Sequence, residues 1–277
     1  MNVPGTSCEE PVAVVSDLHL SWFGRWAARL ERLRPLWSGV RTIVFNGDTV
    51  NWPSSADEPR SRQMLAHLRR LCEEDEVRTI FLAGNCDYDI VDRGHLTLAG
   101  GRILVTHGEV IFPSICPWRR QAAGMRRERD LALQKMPPQR RASLEGQLAS
   151  VRQALTVLQG GIQGPVSPVR GLLQVLAVTS QPGRLWRMLR AWRQTPVLAA
   201  RFLKLYWPQA GVIIIGHTHR PGLWQLNDRI IVNTGSLEWP GRALVARVEA
   251  ERVRVQKIAR RGGEYRPGRT VADFSVG

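Results

Sequence analysis

No stretch of the 277-residue chain approaches the roughly 18 consecutive apolar residues that a membrane-spanning helix needs. The longest apolar runs, near Leu172–Val178 and Val212–Ile215, are far too short. The stretch Met1 to Pro11 lacks the basic and apolar regions of a secretory signal, so a cytoplasmic setting is expected. Cysteine is scarce and scattered. Cys8, Cys72, Cys86 and Cys116 form no C-x-x-C pair, which excludes a disulfide framework and a zinc finger and fits a reducing compartment. Acidic residues are missing from one region only. Residues 115–210 hold sixteen Lys and Arg against three acids, Glu128, Asp130 and Glu145, and so carry 13 of the net 15 positive charges. An Arg-rich composition does not explain why acids are absent from this block alone. Attraction to an acidic partner does. The 43% hydrophobic content excludes a disordered chain.

The remainder alternates short apolar runs with polar clusters. Val12–Val15, Thr42–Phe45, Thr79–Leu82 and Ile103–Val105 have strand length and no polar alternation, the pattern of a sheet covered on both faces. Between them, Trp26–Leu36 and Arg62–Cys72 read as amphipathic helices. The basic block carries helical stripes. Leu144, Leu148, Val151, Leu155 and Leu158 make one, stopped at Gly160-Gly161. Leu185, Met188, Leu189 and Trp192 make another, broken at Pro196, with a third helical stretch from Val197 to Tyr206. Strands return at Val212–Ile215, Ile230–Val232, Ala243–Val248 and Val253–Ile258. Arg252-Val253-Arg254-Val255 alternates as a half-exposed strand does. These readings divide the chain into a discontinuous domain of residues 1–114 and 211–260, a basic helical insertion or cap at 115–210, and a flexible Gly/Arg-rich tail at 261–277.

Six polar clusters sit at strand ends: Asp17-x-His19, Gly47-Asp48, Gly84-Asn85-x-Asp87, His107-Gly108, Gly216-His217-x-His219 and Asn233-Thr234-Gly235-Ser236. The C-terminal ends of strands are where α/β sheets build their sites. In extended backbone, residues i and i+2 point the same way, so Asp17 with His19 and His217 with His219 can each aim at one place. Four of the six histidines fall in these clusters; His67, on a helix, and His95, in a loop, are left as structural or exposed. Carboxylate, amide oxygen and imidazole suit Mn²⁺, Fe²⁺, Zn²⁺ or a similar ion. Asp48 alone could instead be a helix N-cap. Trp22, Trp26 and Trp52 flank the clusters and could line an apolar pocket.

The ordered set D-x-H, G-D, G-N-x-D, H-G, G-H-x-H, from Val14 to about Ser236, resembles the calcineurin-like metallophosphoesterases. The resemblance implies an α/β fold, a four-layer αββα sandwich carrying a basic helical insertion, with two divalent metal ions between its sheets. Mn²⁺ is the first expectation, Fe²⁺ or Zn²⁺ the alternatives. One ion would be held by Asp17, His19, Asp48 and His219. The other would be held by Asp48, Asn85, His107 and His217, with Asp48 bridging. Asp48, Asn85 and His107 would be catalytic, around a metal-bridging hydroxide. Asp87 would orient the ligand loop. Many members have His where Cys86 stands, in G-N-H-D, and a thiol replaces a charged donor poorly. Cys86 and Arg220 are the expected substrate contacts.

Within the family the chain is nearest to the UDP-2,3-diacylglucosamine pyrophosphatases of lipid A synthesis. The likeness rests on Ser16-Asp17-Leu18-His19-Leu20, Gly216-His217-Thr218-His219-Arg220-Pro221 and the helical insertion between His107 and His217. It implies a phosphorylated, lipid-linked substrate taken at the inner face of the membrane. Arg184, Arg187, Arg190 and Arg193, beside Leu185, Leu189 and Trp192, suit a membrane surface independently. The alternatives are a phosphodiesterase acting on nucleotides or single-stranded nucleic acid, and a non-catalytic scaffold of the same fold.

Overall fold

The computed structural model describes residues 8–20, 27–50, 58–159, 182–238 and 241–276. Trp22, Trp26, Trp52, Gly160-Gly161 and the Leu172–Val178 run lie outside the described residues.

Two sheets face each other. The first has six strands in the order β11-β10-β9-β1-β2-β3, and the second has five in the order β4-β5-β6-β8-β7. β1 (Val12–Val15), β2 (Thr42–Asn46) and β3 (Arg78–Leu82) run parallel, with β9 (Leu244–Glu249), β10 (Arg252–Arg261) and β11 (Glu264–Ser275) added antiparallel beyond β1. In the second sheet β5 (Ile103–Thr106), β6 (Val212–Ile215) and β8 (Arg229–Asn233) run parallel, flanked antiparallel by β4 (His95–Leu98) and β7 (Gly222–Leu226).

Side chains on a strand alternate between faces, and this sorts the apolar residues into three cores. Ala13, Val15, Ile43 and Phe45 pack outward on a 3₁₀ helix (Ala27–Leu36) and on α1 (Glu58–Glu74). Val12, Val14, Val44 and Leu82 meet Ile103, Val105, Ile214 and Val232 between the sheets. Leu104, Ile213, Ile215 and Ile231 pack outward on Met125, Val151, Leu155, Phe202 and Leu203 of the second helical layer. Helix, sheet, sheet, helix is therefore the layer order. Each fully buried aliphatic side chain contributes about 1.5–3 kcal/mol.

The second layer comprises α2 (Ala122–Gln134), α3 (Pro138–Arg141), α4 (Leu144–Gln159) and α5 (Pro182–Tyr206). Arg129 of α2 is buried and donates to the carbonyls of Phe112 and Val110 and to Gln147 Oε1 of α4, at 2.6–3.0 Å. It pins the segment after His107 to two helices.

Four expectations are corrected. The chain does not fray after residue 260: β11 pairs along the length of β10, and its register shifts near Gln256 accommodate irregular pairing that reads as loop in sequence. Pro196 does not divide a helix. α5 runs through it, because burial of Ala191, Ala199, Phe202 and Leu203 outweighs a lost N–H bond costing about 3 kcal/mol. The stretch before Leu36 is a 3₁₀ helix, with Pro35 at its penultimate position lacking the N–H an α-turn would use. His95 opens strand β4 and does not lie in a loop.

Candidate metal centre

All the expected ligands occupy the loops at the C-terminal ends of parallel strands: Asp17 and His19 after β1, Asp48 after β2, Asn85 after β3, His107 after β5, His217 and His219 after β6. Because the two sheets face each other, these ends converge. Asp17, His19, Asp48, Asn85, His107 and His217 are buried, while the His219 side chain is 40% exposed at the rim.

The backbone is strained where it must aim these side chains. Asp17, His19, Asp48, His217 and His219 all take φ between 47° and 66°, which non-glycine residues rarely adopt. Hydrogen bonds from outside the strands hold them there. Asp17 N–H donates to Gly47 O at 3.1 Å, His19 N–H to Asp48 O at 2.9 Å, and Gly216 N–H to His107 O at 2.8 Å. Strain of about 1–3 kcal/mol per residue persists only where the surroundings over-determine it, and it clusters at functional sites. Asp48 precedes Thr49 and Val50, the latter bridged to Leu20, so it caps no helix among the described residues.

The donor atoms form overlapping groups. Asp17, His19 and His219 offer atoms within 4.8 Å of one another, as do Asp17, Asp48 and His107, and also His19, Asp48 and Cys86. His19 Nε2 lies 3.7 Å from Asp17 Oδ1 and 3.8 Å from Asp48 Oδ2. His107 Nε2 lies 3.5 Å from Asp48 Oδ2, and His219 Nε2 3.3 Å from Asp17 Oδ1. Asp48 thus stands between the two halves. Its Oδ1 is held by the Cys86 N–H at 2.7 Å, and Asp17 Oδ2 by the His217 N–H at 3.0 Å.

The remaining atoms fit cations. Asp17 Oδ1, Asn85 Oδ1 and His107 Nε2 are buried with no hydrogen-bond partner, a cost of about 1–3 kcal/mol each unless a ligand satisfies them. His107 Nδ1–H donates to Asn46 O at 2.9 Å, which turns Nε2 inward as the nitrogen a cation would take. His217 donates Nε2–H to Ile115 O at 2.8 Å, leaving Nδ1 as its only ligating nitrogen. Its ring lies 5.2 Å from that of His107. Asp87 points away from the centre. Its carboxylate accepts from the N–H groups of Gly84 and Thr49 at 2.7 Å and of Asp48 at 3.3 Å, so it shapes the loops that carry Asp48 and Asn85.

Charge in this cluster follows from burial opposed by neighbours. Burial disfavours an ionised Asp17, but His107, His19 and His219 hold it well below the usual carboxylate range. Asp48 is likewise lowered, against its burial, chiefly by His107. Burial opposes charge on His19, yet Asp17, Cys86 and Asp48 raise it well above the usual value; His107 is raised by Asp48 and Asp17. Burial and the charge on His107 push His217 down to about 3. Asp87 is pushed up to about 6 by burial and by Asp48.

These directions fix a pH dependence. In the metal-free chain His19 and His107 hold protons at neutral pH, whereas a cation needs neutral imidazole. Binding of Mn²⁺ is therefore expected to release on the order of two protons per chain and to weaken as pH falls. Calorimetry in two buffers of different ionisation enthalpy measures the release. Uptake of ions without release would exclude these histidines as ligands.

Three supporting residues carry weaker sequence signals. Asn46 orients His107 and donates through Nδ2 to Thr106 O; its only mark in the sequence is its place before Gly47-Asp48. Glu109 is buried, and burial pushes its pKa up to about 7. Trp118 lays its ring 4.9 Å from His217, and nothing in the Arg-rich sequence around it marks that contact. Arg220, the expected substrate contact, stacks its guanidinium 5.4 Å above Trp192, whose Nε1–H donates to Thr218 O between the two C-terminal histidines.

The family model described as Calcineurin-like phosphoesterase matches residues 10–221. Among solved structures, a dimetal phosphatase from Danio rerio is 12% identical, aligns over 97% of this chain and 100% of its own, and gives a TM-score of 0.50. Vps29 from Chaetomium thermophilum is 12% identical over 96% of this chain and 95% of its own, with a TM-score of 0.45. The E. coli phosphoesterase Yfce is 14% identical over 96% and 99%, with a TM-score of 0.41. No curated protein matches the chain.

Proposed function

Because the chain belongs to the calcineurin-like phosphoesterase family, we propose that its buried Asp, Asn and His cluster holds two divalent cations and hydrolyses a phosphoester or pyrophosphate. The observation that carries this reading is the trio of orphaned atoms, Asp17 Oδ1, Asn85 Oδ1 and His107 Nε2, in a centre built of seven such side chains. Asp17, His19, Asp48 and His219 would hold one cation and Asp48, Asn85, His107 and His217 the other. Two ions held there would supply an activated water and neutralise charge gathering on the phosphoryl oxygens. The protein residues fix the donors in position, exclude bulk water through the burial of six of them, and keep His217 neutral for ligation.

The finer reading is a nucleotide-linked lipid substrate such as UDP-2,3-diacylglucosamine, met at a membrane surface. Support comes from α5. Trp192 ties it to the loop between His217 and His219, yet every described side chain from Gly183 to Arg190 is exposed or half-exposed. Trp186 is 61% exposed, beside Leu185, Leu189, Arg187 and Arg190. At 1.5 Å per residue, Trp186 stands about 9 Å along the helix from the site anchor. No helix among the described residues is long and apolar enough to cross a membrane.

The decisive experiment incubates the purified chain with Mn²⁺, Fe²⁺ or Zn²⁺ and, side by side, UDP-2,3-diacylglucosamine, a cyclic nucleotide, single-stranded DNA and an activated phosphodiester. Metal-dependent release of UMP and a lipid phosphate is the expected result. Cleavage of the nucleic acid alone moves the substrate to the alternative class. No hydrolysis of any of the four leaves a scaffold. The surface is tested separately by flotation with phosphatidylglycerol vesicles. Each arginine near an anionic surface contributes about 1 kcal/mol, so changing Arg184, Arg187 and Arg190 to Gln is expected to weaken binding about 100-fold. Unchanged flotation would remove α5 from the membrane reading.

A further inference from the structure

Cys86 stands beside Asp48 and Asn85, and Asn85 donates to its sulfur at 3.2 Å. A thiol side chain offers a phosphoryl group no positive charge. The centre thus has abundant negative and neutral donors but no fixed cation from this loop to meet a phosphoryl dianion.

A cation arrives from another part of the chain. Arg119 lies in the loop between His107 and α2, and its guanidinium sits beside the Cys86 sulfur, within electrostatic reach of the Asp48 carboxylate. Among the described residues Arg119 forms no ion pair with any carboxylate, and the residue is exposed. Its loop is not a free strand of surface. Ile115 accepts from His217 Nε2, Trp118 packs on the His217 ring at 4.9 Å, and Arg119 N–H donates to Cys116 O at 3.0 Å. Ile115 and Cys116 are fully buried, and Ile115 takes φ of 58°, a costly conformation for a β-branched residue. The loop is therefore locked onto a metal ligand at one end and presents at the other a guanidinium that lies against Cys86 and pairs with no carboxylate among the described residues.

We propose that Arg119 binds the phosphoryl group of the substrate, supplying from the loop before α2 the positive charge that Cys86 does not. A guanidinium offers paired N–H donors that match two phosphoryl oxygens, and its bonds to an anion are about twice as strong as neutral ones. The small Cys86 side chain leaves it room to lie against the G-N-C-D loop, where a second cation would repel it. This assignment rests on the hydrolase reading for its substrate but not for its measurement.

The test compares Arg119→Ala, Arg119→Lys and the wild-type chain, all loaded with Mn²⁺. Ion content is measured first, then affinity for inorganic phosphate by calorimetry, then hydrolysis. Arg119→Ala is expected to keep two ions per chain, to bind phosphate about 10-fold more weakly and to lose about 100-fold in kcat/KM. Arg119→Lys, which keeps the charge but not the fork, should recover part of the phosphate affinity. Adding Cys86→His to Arg119→Ala, which returns a charged donor from the other loop, should recover part of kcat/KM. Unchanged phosphate affinity in Arg119→Ala would overturn the proposal, as would loss of an ion, which would make Arg119 a prop for the centre. A wild-type chain that binds two ions but hydrolyses nothing sinks the hydrolase reading, and the phosphate affinities then decide Arg119 alone.

Discussion

Asp48→Asn is expected to abolish metal-dependent hydrolysis, with a loss of at least about 10³-fold in kcat/KM, and to reduce the ion content below two per chain. Asp48 Oδ2 lies 3.5 Å from His107 Nε2 and 3.8 Å from His19 Nε2, so it is the carboxylate that faces both halves of the centre. An amide has the same shape and keeps one oxygen to accept the Cys86 N–H, but it brings no charge to two neighbouring cations. The fold should survive, because the change is isosteric and Asp48 is not a member of any of the three apolar cores. Circular dichroism and ion analysis separate the outcomes. A folded variant with full ion content and full activity would show that Asp48 bridges nothing.

The ligands were legible because their spacing is a property of the strand. In Asp17-x-His19 and His217-x-His219 the i, i+2 relation puts both side chains on one side of the chain, and the apolar runs before them announce where each strand ends. Other parts of the fold carry no such mark. β11 is a polar strand that contributes only partly buried residues, Tyr265 on the first core and Ala272 and Phe274 on the core between the sheets, so in sequence it reads as a tail. β4 has only four residues, alternating half-buried and buried at a sheet edge, too short a run to show a period. The left-handed φ at five ligands is equally silent, since none of the five is glycine. Arg119 is the extreme case. It is one of sixteen basic residues in its block, and only the anchoring of Ile115 and Trp118 on His217 singles it out.

Gly84→Ala is expected to damage the centre and the fold together, for a reason the side chains cannot relieve. A Cβ at Gly84 would lie 2.3 Å from Asp48 Oδ1 and 2.9 Å from the His107 ring, but also 2.5 Å from the Asp48 backbone nitrogen. Rotating Asp48 removes the first clash. The backbone contact remains, so the β2 and β3 loops must separate. Gly84 N–H then leaves Asp87, and Asp87 leaves Thr49 and Asp48, which breaks the carboxylate clamp that positions two ligands. Overpacking of this kind costs about 1–3 kcal/mol, and a lost buried hydrogen bond a further 1–3, so the unfolding free energy should fall by roughly 2–6 kcal/mol, with ion binding lost in what remains folded. Gly211→Ala is the internal comparison. Nothing lies within 4 Å of its Cβ position and its φ is ordinary, so it should change stability by less than about 1 kcal/mol and leave ion content at two. Denaturant melts with and without Mn²⁺ measure both. Equal stability and equal metal stabilisation in the two variants would mean that the β2 and β3 loops do not meet as closely as the Asp87 clamp requires.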